Sequence, residues 1–210
     1  MIDHHAGALT SEDELRALYE PPSGLAAMKE IDHLDEMCRR LIACSPLVMV
    51  GSADADGRCD VTPRGGPPGF VTVLDDHHLA VPDATGNRRI DTIRNVVANG
   101  HAGLLFLVPG RGQTLRVNGG AWVTAEPALL ERLTPVGKPP RSALVVRADE
   151  VFAHCPKAFV RSGAWRPETW LDAEQQPSPA EVSHAHARDP ELSVADVAEM
   201  QAEGLRSRLL

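Results

Sequence analysis

The sequence predicts a mainly-β domain with flanking helices (α+β), a six-stranded class of antiparallel split barrel in which about six strands form a closed or partly open barrel around one central helix. Short β-type runs succeed one another at hairpin spacing between residues 47 and 152, and a single helical pattern interrupts them near residue 90. The 210 residues, 43% apolar and 24% charged, suffice for one substantial core with extensions at both ends.

Taken in order, residues 1–9 carry no periodic pattern. Ser11-Glu12-Asp13-Glu14 has capping-box spacing and predicts a short helix that ends before Pro21-Pro22. Leu25, Met28, Ile31, Leu34, Met37 and Leu41 recur at helical spacing, which predicts one amphipathic helix ending near Ser45-Pro46. The period then changes. Strands are expected over 47–53 and 58–64, joined by the turn Asp54-Ala55-Asp56-Gly57, and then over 70–74 and 78–82. A helix over about 88–97 stops at Asn99-Gly100, since glycine accepts the left-handed conformation that ends helices. Strands over 103–108, 114–125 and 142–152 complete the barrel, with a short helix at 127–133. The Pro-, Glu-, Ser- and His-rich stretch 173–190 reads as a surface linker, and 192–210 as a C-terminal helix. The expected organisation is an N-terminal extension over 1–24, a barrel domain over 25–170, and a linker with helix over 171–210.

Composition excludes several classes. A net charge of −8 argues against nucleic acid, whose phosphates demand a basic surface. No apolar run approaches the roughly 20 residues of a membrane helix, and the polar start lacks a secretory signal. Cys38, Cys44, Cys59 and Cys155 show no paired spacing and read as reduced thiols of a cytoplasmic protein. The pairs His4-His5, His77-His78 and His184/His186 lack a metal-site framework, so no metal is expected. Gly110-Arg111-Gly112 leads into a strand and lacks a third glycine, which excludes a dinucleotide fingerprint; no nucleophile elbow or phosphate-loop lysine is present.

Two segments carry candidate chemistry. In Pro82-Asp83-Ala84-Thr85-Gly86-Asn87-Arg88-Arg89 a strand ends, a loop turns, and two arginines open a helix, with Arg94 near the same helical turn. Helix-start N–H groups favour an anion, and guanidinium forks match phosphate oxygens. Pairing of Arg88 and Arg89 with Asp83, Asp91 or solvent explains the same residues. In Thr62-Pro63-Arg64-Gly65 the glycine lets a backbone approach a flat ligand, and the arginine can bond or stack on it; a plain strand end is the alternative.

The order of these segments, followed by Leu104-Leu105-Phe106, resembles the pyridoxamine 5′-phosphate oxidase superfamily of FMN-binding split barrels. Within it the sequence is similar to a bacterial branch of enzymes regarded as FMN-dependent, through Thr114-Leu115-Arg116-Val117-Asn118-Gly119, His154-Cys155-Pro156-Lys157-Ala158 and Arg161-Ser162-Gly163-Ala164-Trp165. The resemblance spans about residues 25 to 170. It implies a homodimer with FMN at the subunit interface, the phosphate on Arg88 and Arg89, Pro82 and Asp83 along the flavin, and Thr62 to Gly65 against ring and ribityl chain. Asn87 precedes the basic pair. Lys157, Arg161 and Trp165 become candidates for a substrate acid, a flavin oxygen and ring packing, with solvated helix charges and a packing anchor as their plain alternatives. Thr114, Arg116 and Asn118 share one strand face that meets flavin, second subunit or solvent, and Gln113 is a weaker ring contact. His154 and Cys155 point to opposite faces and make a poor dyad. The true oxidase's C-terminal Arg-x-His substrate motif has no counterpart in Leu205-Arg206-Ser207-Arg208, so vitamin B6 oxidation is not expected. The expected activity is FMN-dependent oxidoreduction of a small organic molecule, with no acid or base assigned. A non-catalytic flavin store, a haem-binding or haem-degrading barrel, and a deazaflavin in place of FMN are the alternatives.

Overall fold

The structure, a computed structural model, describes residues 4–83, 89–134, 136 and 138–208. It divides into two compact units, Met1–Glu30 and Ile31–Leu210. In the first, α1 (Glu12–Leu18) starts on a complete capping box: Ser11 Oγ accepts from Glu14 N–H, and the Glu14 carboxylate accepts from Ser11 N–H at 3.1 Å. Helix α2 is a single turn, Leu25–Met28.

The expected long helix from Leu25 is therefore broken. Ile31 instead pairs with Val151 as an isolated β-bridge, Leu34 N–H donates to Asp76 O at 2.7 Å, and α3 begins only at Glu36. Asp35 enforces that start, because its side chain caps Cys38 N–H at 2.8 Å. The apolar stripe is real, but Ile31 and Leu34 bury through long-range pairing. Helix α3 (Glu36–Cys44) buries Cys38 and Ile42.

Among the described residues eight strands follow, where about six were expected: β1 (Leu47–Ala53), β2 (Cys59–Gly65), β3 (Thr72–Val73), β4 (His78–Pro82), β5 (His101–Leu107), β6 (Thr114–Thr124), β7 (Ala143–Arg147) and β8 (Glu150–His154). The run predicted over 142–152 is cut by a corner at Ala148-Asp149, where Ala148 N–H turns away to His77 O. The order β2-β1-β5-β6-β7-β4-β3, with β8 added on β6, describes two antiparallel half-sheets that share one long strand. β6 pairs with β8 through Thr114–Asn118, with β5 through Leu115–Gly120 and with β7 through Ala121–Thr124. The bend lies at Gly119-Gly120. A Cβ on Gly119 would stand 2.0 Å from Arg147 O, so only glycine lets the β7–β8 corner cross here.

Apolar side chains on alternate strand positions, among them Val48, Val50, Leu104, Phe106, Val117 and Val151, form the core between the half-sheets, each 1% exposed or less. Helix α4 (Asp91–Asn99) packs Thr92 and Val96 against that core and ends at Gly100 in the left-handed conformation, as expected. Its start differs: Arg89 lies two residues before the first helical residue, and Ile90 takes a left-handed φ of 50°. Arg89 thus precedes the helix and does not open it.

Helices α5 (Pro127–Leu130) and α6 (Lys157–Ser162) follow β6 and β8. The stretch read as a linker is partly helical: α7 (Pro179–Ala187) has its own capping box from Ser178 and Glu181. With α8 (Val194–Arg208) it makes a helical hairpin, joined where Gln201 Nε2 donates to Ser183 Oγ at 2.9 Å. Among the described residues no helix is long and apolar enough to cross a membrane.

Candidate functional site

The β1–β2 hairpin and α4 enclose an open cleft of about 670 Å³. One wall is the hairpin turn and the start of β2, contributing Asp54, Arg58, Cys59 and Asp60. The other is a stripe of α4, Asp91, Arg94, Asn95 and Ala98, at the i, i+3, i+4, i+7 spacing that puts side chains on one helix face. Arg89 stands at the helix entry. Arg58, Arg89 and Arg94 therefore line the same space as Asp54, Asp60 and Asp91.

Their engagements differ. Asp54 accepts from the N–H groups of Asp56 and Arg58, both at 2.9 Å, and the Arg58 N–H bond is the main reason its carboxyl is held below the usual range. Arg58 Nη1 also reaches Asp54 and Asp56 carboxylates. Asp60 accepts from Thr92 Oγ1 at 2.9 Å, a bond that ties β2 to the first turn of α4. Arg89 Nε donates to Asp91 at 2.7 Å, while 87% of the arginine side chain stays exposed. Arg94 N–H donates to Ile90 O at 2.9 Å, and among the described residues no hydrogen bond or ion pair engages its side chain.

Beyond the Asp60–Thr92 bridge lies a crevice of about 10 Å³, bordered by Arg64, Pro82, Asp83 and Thr92. That volume holds about one water. Arg64 and Thr62 reach this side because they stand opposite Val48 and Val50, whose side chains are fully buried, so all four point inward. Val61 and Pro63 point the other way. Asp83 N–H donates to Ser142 O at 3.0 Å, which fixes the end of β4 beside the crevice. Asn87 and Arg88 lie outside the described residues.

The second predicted group does not join the first within one chain. Leu115 and Val117 enter the core, so Thr114, Arg116 and Asn118 face outward, opposite to Thr62 and Arg64. Strands β1 and β5 also intervene, a separation of about 14 Å at ordinary strand spacing. On that outer face Arg116 lies over the Phe152 ring, 5.0 Å from its centroid, and Asn118 donates to Glu150 at 2.7 Å. Thr114 is buried at the strand end and Gln113 is exposed. Lys157 and Arg161 are exposed on α6, where Arg161 Nε donates to Lys157 O at 3.3 Å. Trp165 is committed locally: it stacks on Phe159 with centroids 5.6 Å apart, and its Nε1–H donates to Arg111 O at 2.8 Å.

A sequence profile described as pyridoxamine 5′-phosphate oxidase matches residues 34–155, more than half of the chain. The chain belongs to the pyridoxamine 5′-phosphate oxidase family. The matched stretch includes α3, all eight strands and both walls of the cleft. No curated protein matches the sequence. Among solved structures, the family chain is similar to HupZ from Group A Streptococcus, at 21% identity over 57% of this chain and 92% of that one, with a TM-score of 0.46. It is similar also to an FMN-binding protein from Syntrophomonas wolfei, at 14% identity over 56% and 83% of the two chains and a TM-score of 0.41. A third is a Clostridium acetobutylicum protein related to general stress protein 26 of Bacillus subtilis, at 18% identity over 55% and 83% and a TM-score of 0.41. The chain itself forms a split β-barrel with flanking helices, its two half-sheets meeting along β6.

Arg58, Asp60, Thr92 and Asn95 border the two cavities without having been assigned to a ligand from the sequence, which did place Arg94 beside the basic pair. Asp60 was accessible to it, since it shares a strand face with Thr62 and Arg64 by simple alternation. Asn95 and Ala98 follow from Asp91 by helical spacing. Arg58 carried no local signal beyond a turn.

Proposed function

We propose that this family member binds FMN and acts as an FMN-dependent oxidoreductase on a small organic substrate. The observation that carries the reading is the position of Arg89: it enters α4 at the mouth of a ligand-sized cleft, next to the inward face of β2. Pockets of about 300–1,000 Å³ are usual for small ligands, and the cleft falls within that range. Its residues fit a phosphorylated cofactor, because guanidinium groups border it and its carboxylates already hold donors of their own.

Arg89, with its neighbour Arg88, binds the terminal phosphate. Thr62 to Gly65, Pro82 and Asp83 orient the remainder along β2 and the end of β4. The crevice beside Arg64 admits only a water, so a planar ring held by these residues would have to stay outside it. When bound, the flavin supplies hydride exchange at N5, and the protein contributes position and electrostatics.

A second copy of the chain completes the site in this proposal. Arg116 sits on the outer side of the sheet from Thr62 and Arg64, and Lys157, Arg161 and Trp165 follow β8, which pairs with β6 beyond β1 and β5. One ligand touches both groups only if a partner subunit supplies one of them. The outer face suits such an approach: Val61 is 71% exposed there, beside Pro63 and the partly buried Met49, Leu105 and Phe152.

Purified protein tests the proposal. Flavin absorption bands, bleached by NADH or NADPH and restored by air, are the expected result. A flavin spectrum without bleaching would leave a carrier, and a Soret band would replace the flavin with haem. Alanine at both Arg88 and Arg89 is expected to weaken FMN binding by about 2–4 kcal/mol, the worth of two charge-assisted hydrogen bonds. Unchanged affinity in a folded double variant refutes the phosphate assignment.

A further inference from the structure

Two histidines far apart in the chain meet where the lead-in to α3 crosses the β3–β4 turn. His33 and His77 stand with ring centroids 6.4 Å apart and planes at 65°. The place lies at the other end of β4 from Pro82 and the crevice, about 13 Å along the strand. One residue holds both rings: His33 Nδ1 lies 3.0 Å from Asp32 Oδ1, and His77 Nδ1 lies 3.2 Å from the Asp32 backbone oxygen. A carboxylate and a carbonyl can only accept, so each Nδ1 carries the proton and each neutral ring keeps its lone pair on Nε2. Among the described residues neither Nε2 has a hydrogen-bond partner.

The backbone beneath both rings is pinned as well. Leu34 N–H donates to Asp76 O at 2.7 Å, Ala148 N–H to His77 O at 2.8 Å, and His77 N–H to Asp75 Oδ1 at 2.8 Å. An imidazole whose Nδ1–H rests on a protein oxygen, with Nε2 left over, is the form in which histidine ligates metals. His78 takes no part: Asp75 engages its Nδ1 at 2.9 Å, and its ring meets Trp122 edge-on at 5.8 Å. The neighbouring pair His77-His78 therefore gives no sign of the site in the sequence. Charge favours a cation, since Asp32, Asp75 and Asp76 share this corner and Arg39 pairs with Asp76.

We propose that His33 and His77 bind one late first-row transition-metal dication, of the zinc, nickel or copper class, through their Nε2 atoms. With metal–nitrogen bonds of about 2.0–2.1 Å, two imidazoles on one ion stand about 5–6.5 Å centre to centre. The observed 6.4 Å is at the wide end of that range, and rotation of the exposed His77 side chain shortens it. Among the described residues no group of three or more His, Cys, Asp or Glu side chains is arranged around a metal, so water fills the remaining positions. The ion ties the α3 lead-in to the β3–β4 turn and stabilises the folded state by mass action. The inference is independent of the flavin reading.

Calorimetric titration of the full-length protein with zinc chloride, alongside urea denaturation at rising zinc concentration, tests it. Zinc binding and a urea midpoint that rises with zinc are expected. His33→Asn and His77→Asn keep an N–H donor for Asp32 and remove Nε2. Each should lower zinc affinity at least about tenfold and abolish the zinc-dependent rise, while the midpoint of the metal-free protein stays in place. Asp32→Ala, which frees the His33 ring, should lower zinc affinity about tenfold. Alanine at His4 and His5, or at His184 and His186, should leave the rise intact. Magnesium should not displace zinc, because it selects oxygen ligands. No zinc binding, unchanged affinity in either Asn variant, or magnesium that competes on equal terms overturns the site. Because His77 is exposed, its variant reads the metal effect without a change in the fold.

Discussion

Replacing Asp91 with Asn is expected to tighten FMN binding while it weakens the fold. In the free protein Arg89 Nε donates to Asp91 at 2.7 Å, so a phosphate that recruits Arg89 must first loosen that pair. The pair is weak: the arginine side chain is 87% exposed, and exposed ion pairs contribute about 0.2–1 kcal/mol. Removing the carboxylate charge releases that amount to the ligand, a gain of about 1.4- to fivefold in affinity. The same substitution deletes the only acid in the first turn of α4, where a negative charge interacts favourably with the helix dipole. That loss amounts to about 0.3–1 kcal/mol of stability. Fluorescence titration with FMN and urea denaturation of the unliganded protein read the two effects separately. Weaker FMN binding in a variant of normal stability would refute the reasoning, because Asp91 would then be holding Arg89 in its binding position instead of competing for it. Raising the salt concentration should shrink the gain, as both terms are screened at the surface.

Three other outcomes follow from the packing. Gly119→Ala brings a Cβ to 2.0 Å from a backbone oxygen, whereas Gly120→Ala meets the movable Arg147 guanidinium at 3.2 Å. Urea midpoints should therefore show a loss of about 3 kcal/mol or more for the first and about 1 kcal/mol or less for the second. Burial, and then the bond from the thiol to Asp35, push Cys38 up to about 12, so a thiol reagent should modify three cysteines in the native protein and four after unfolding. The Arg147 guanidinium, and then Gly120 N–H, hold Asp149 at about 2, below the ordinary carboxyl value of about 3.9. A depressed carboxyl stabilises the fold above the unfolded value and loses that contribution as pH falls towards 2. The acid limb of the stability curve should therefore flatten in Asp149→Asn between about pH 4 and pH 2, and an unchanged limb would count against the corner.

Local chemistry made much of the fold legible. The capping box at Ser11–Glu14, the turn before Arg58 and the helix stop at Asn99-Gly100 each act over a few residues, and each is where the sequence places it. Long-range pairing was not legible. Ile31 and Leu34 fit a helical stripe as well as they fit their actual partners, Val151 and Asp76. The box at Ser178–Glu181 has the same form as the first one, but the surrounding Pro, Ser and His masked it as linker composition. At the site, alternation gave the two faces of each strand without saying which face of polar β2 turned inward. The register against Val48 and Val50 decides that, and it separates Thr62 and Arg64 from Arg116 by a whole sheet. The helix entry is displaced because Ile90 adopts a left-handed φ that no propensity favours for a β-branched residue.

Strand β6 has a consequence for how the molecule comes apart. Its eleven residues serve two ladders, and neither half-sheet keeps a complete set of partners once that strand leaves. Peeling β7 from Trp122 and Val123 frees the corner at Asp149, which also anchors β8 and, through Ala148, the turn before β4. Separate melting of the halves is thereby suppressed, and the barrel behaves as a single cooperative block around a seam with no spare strand.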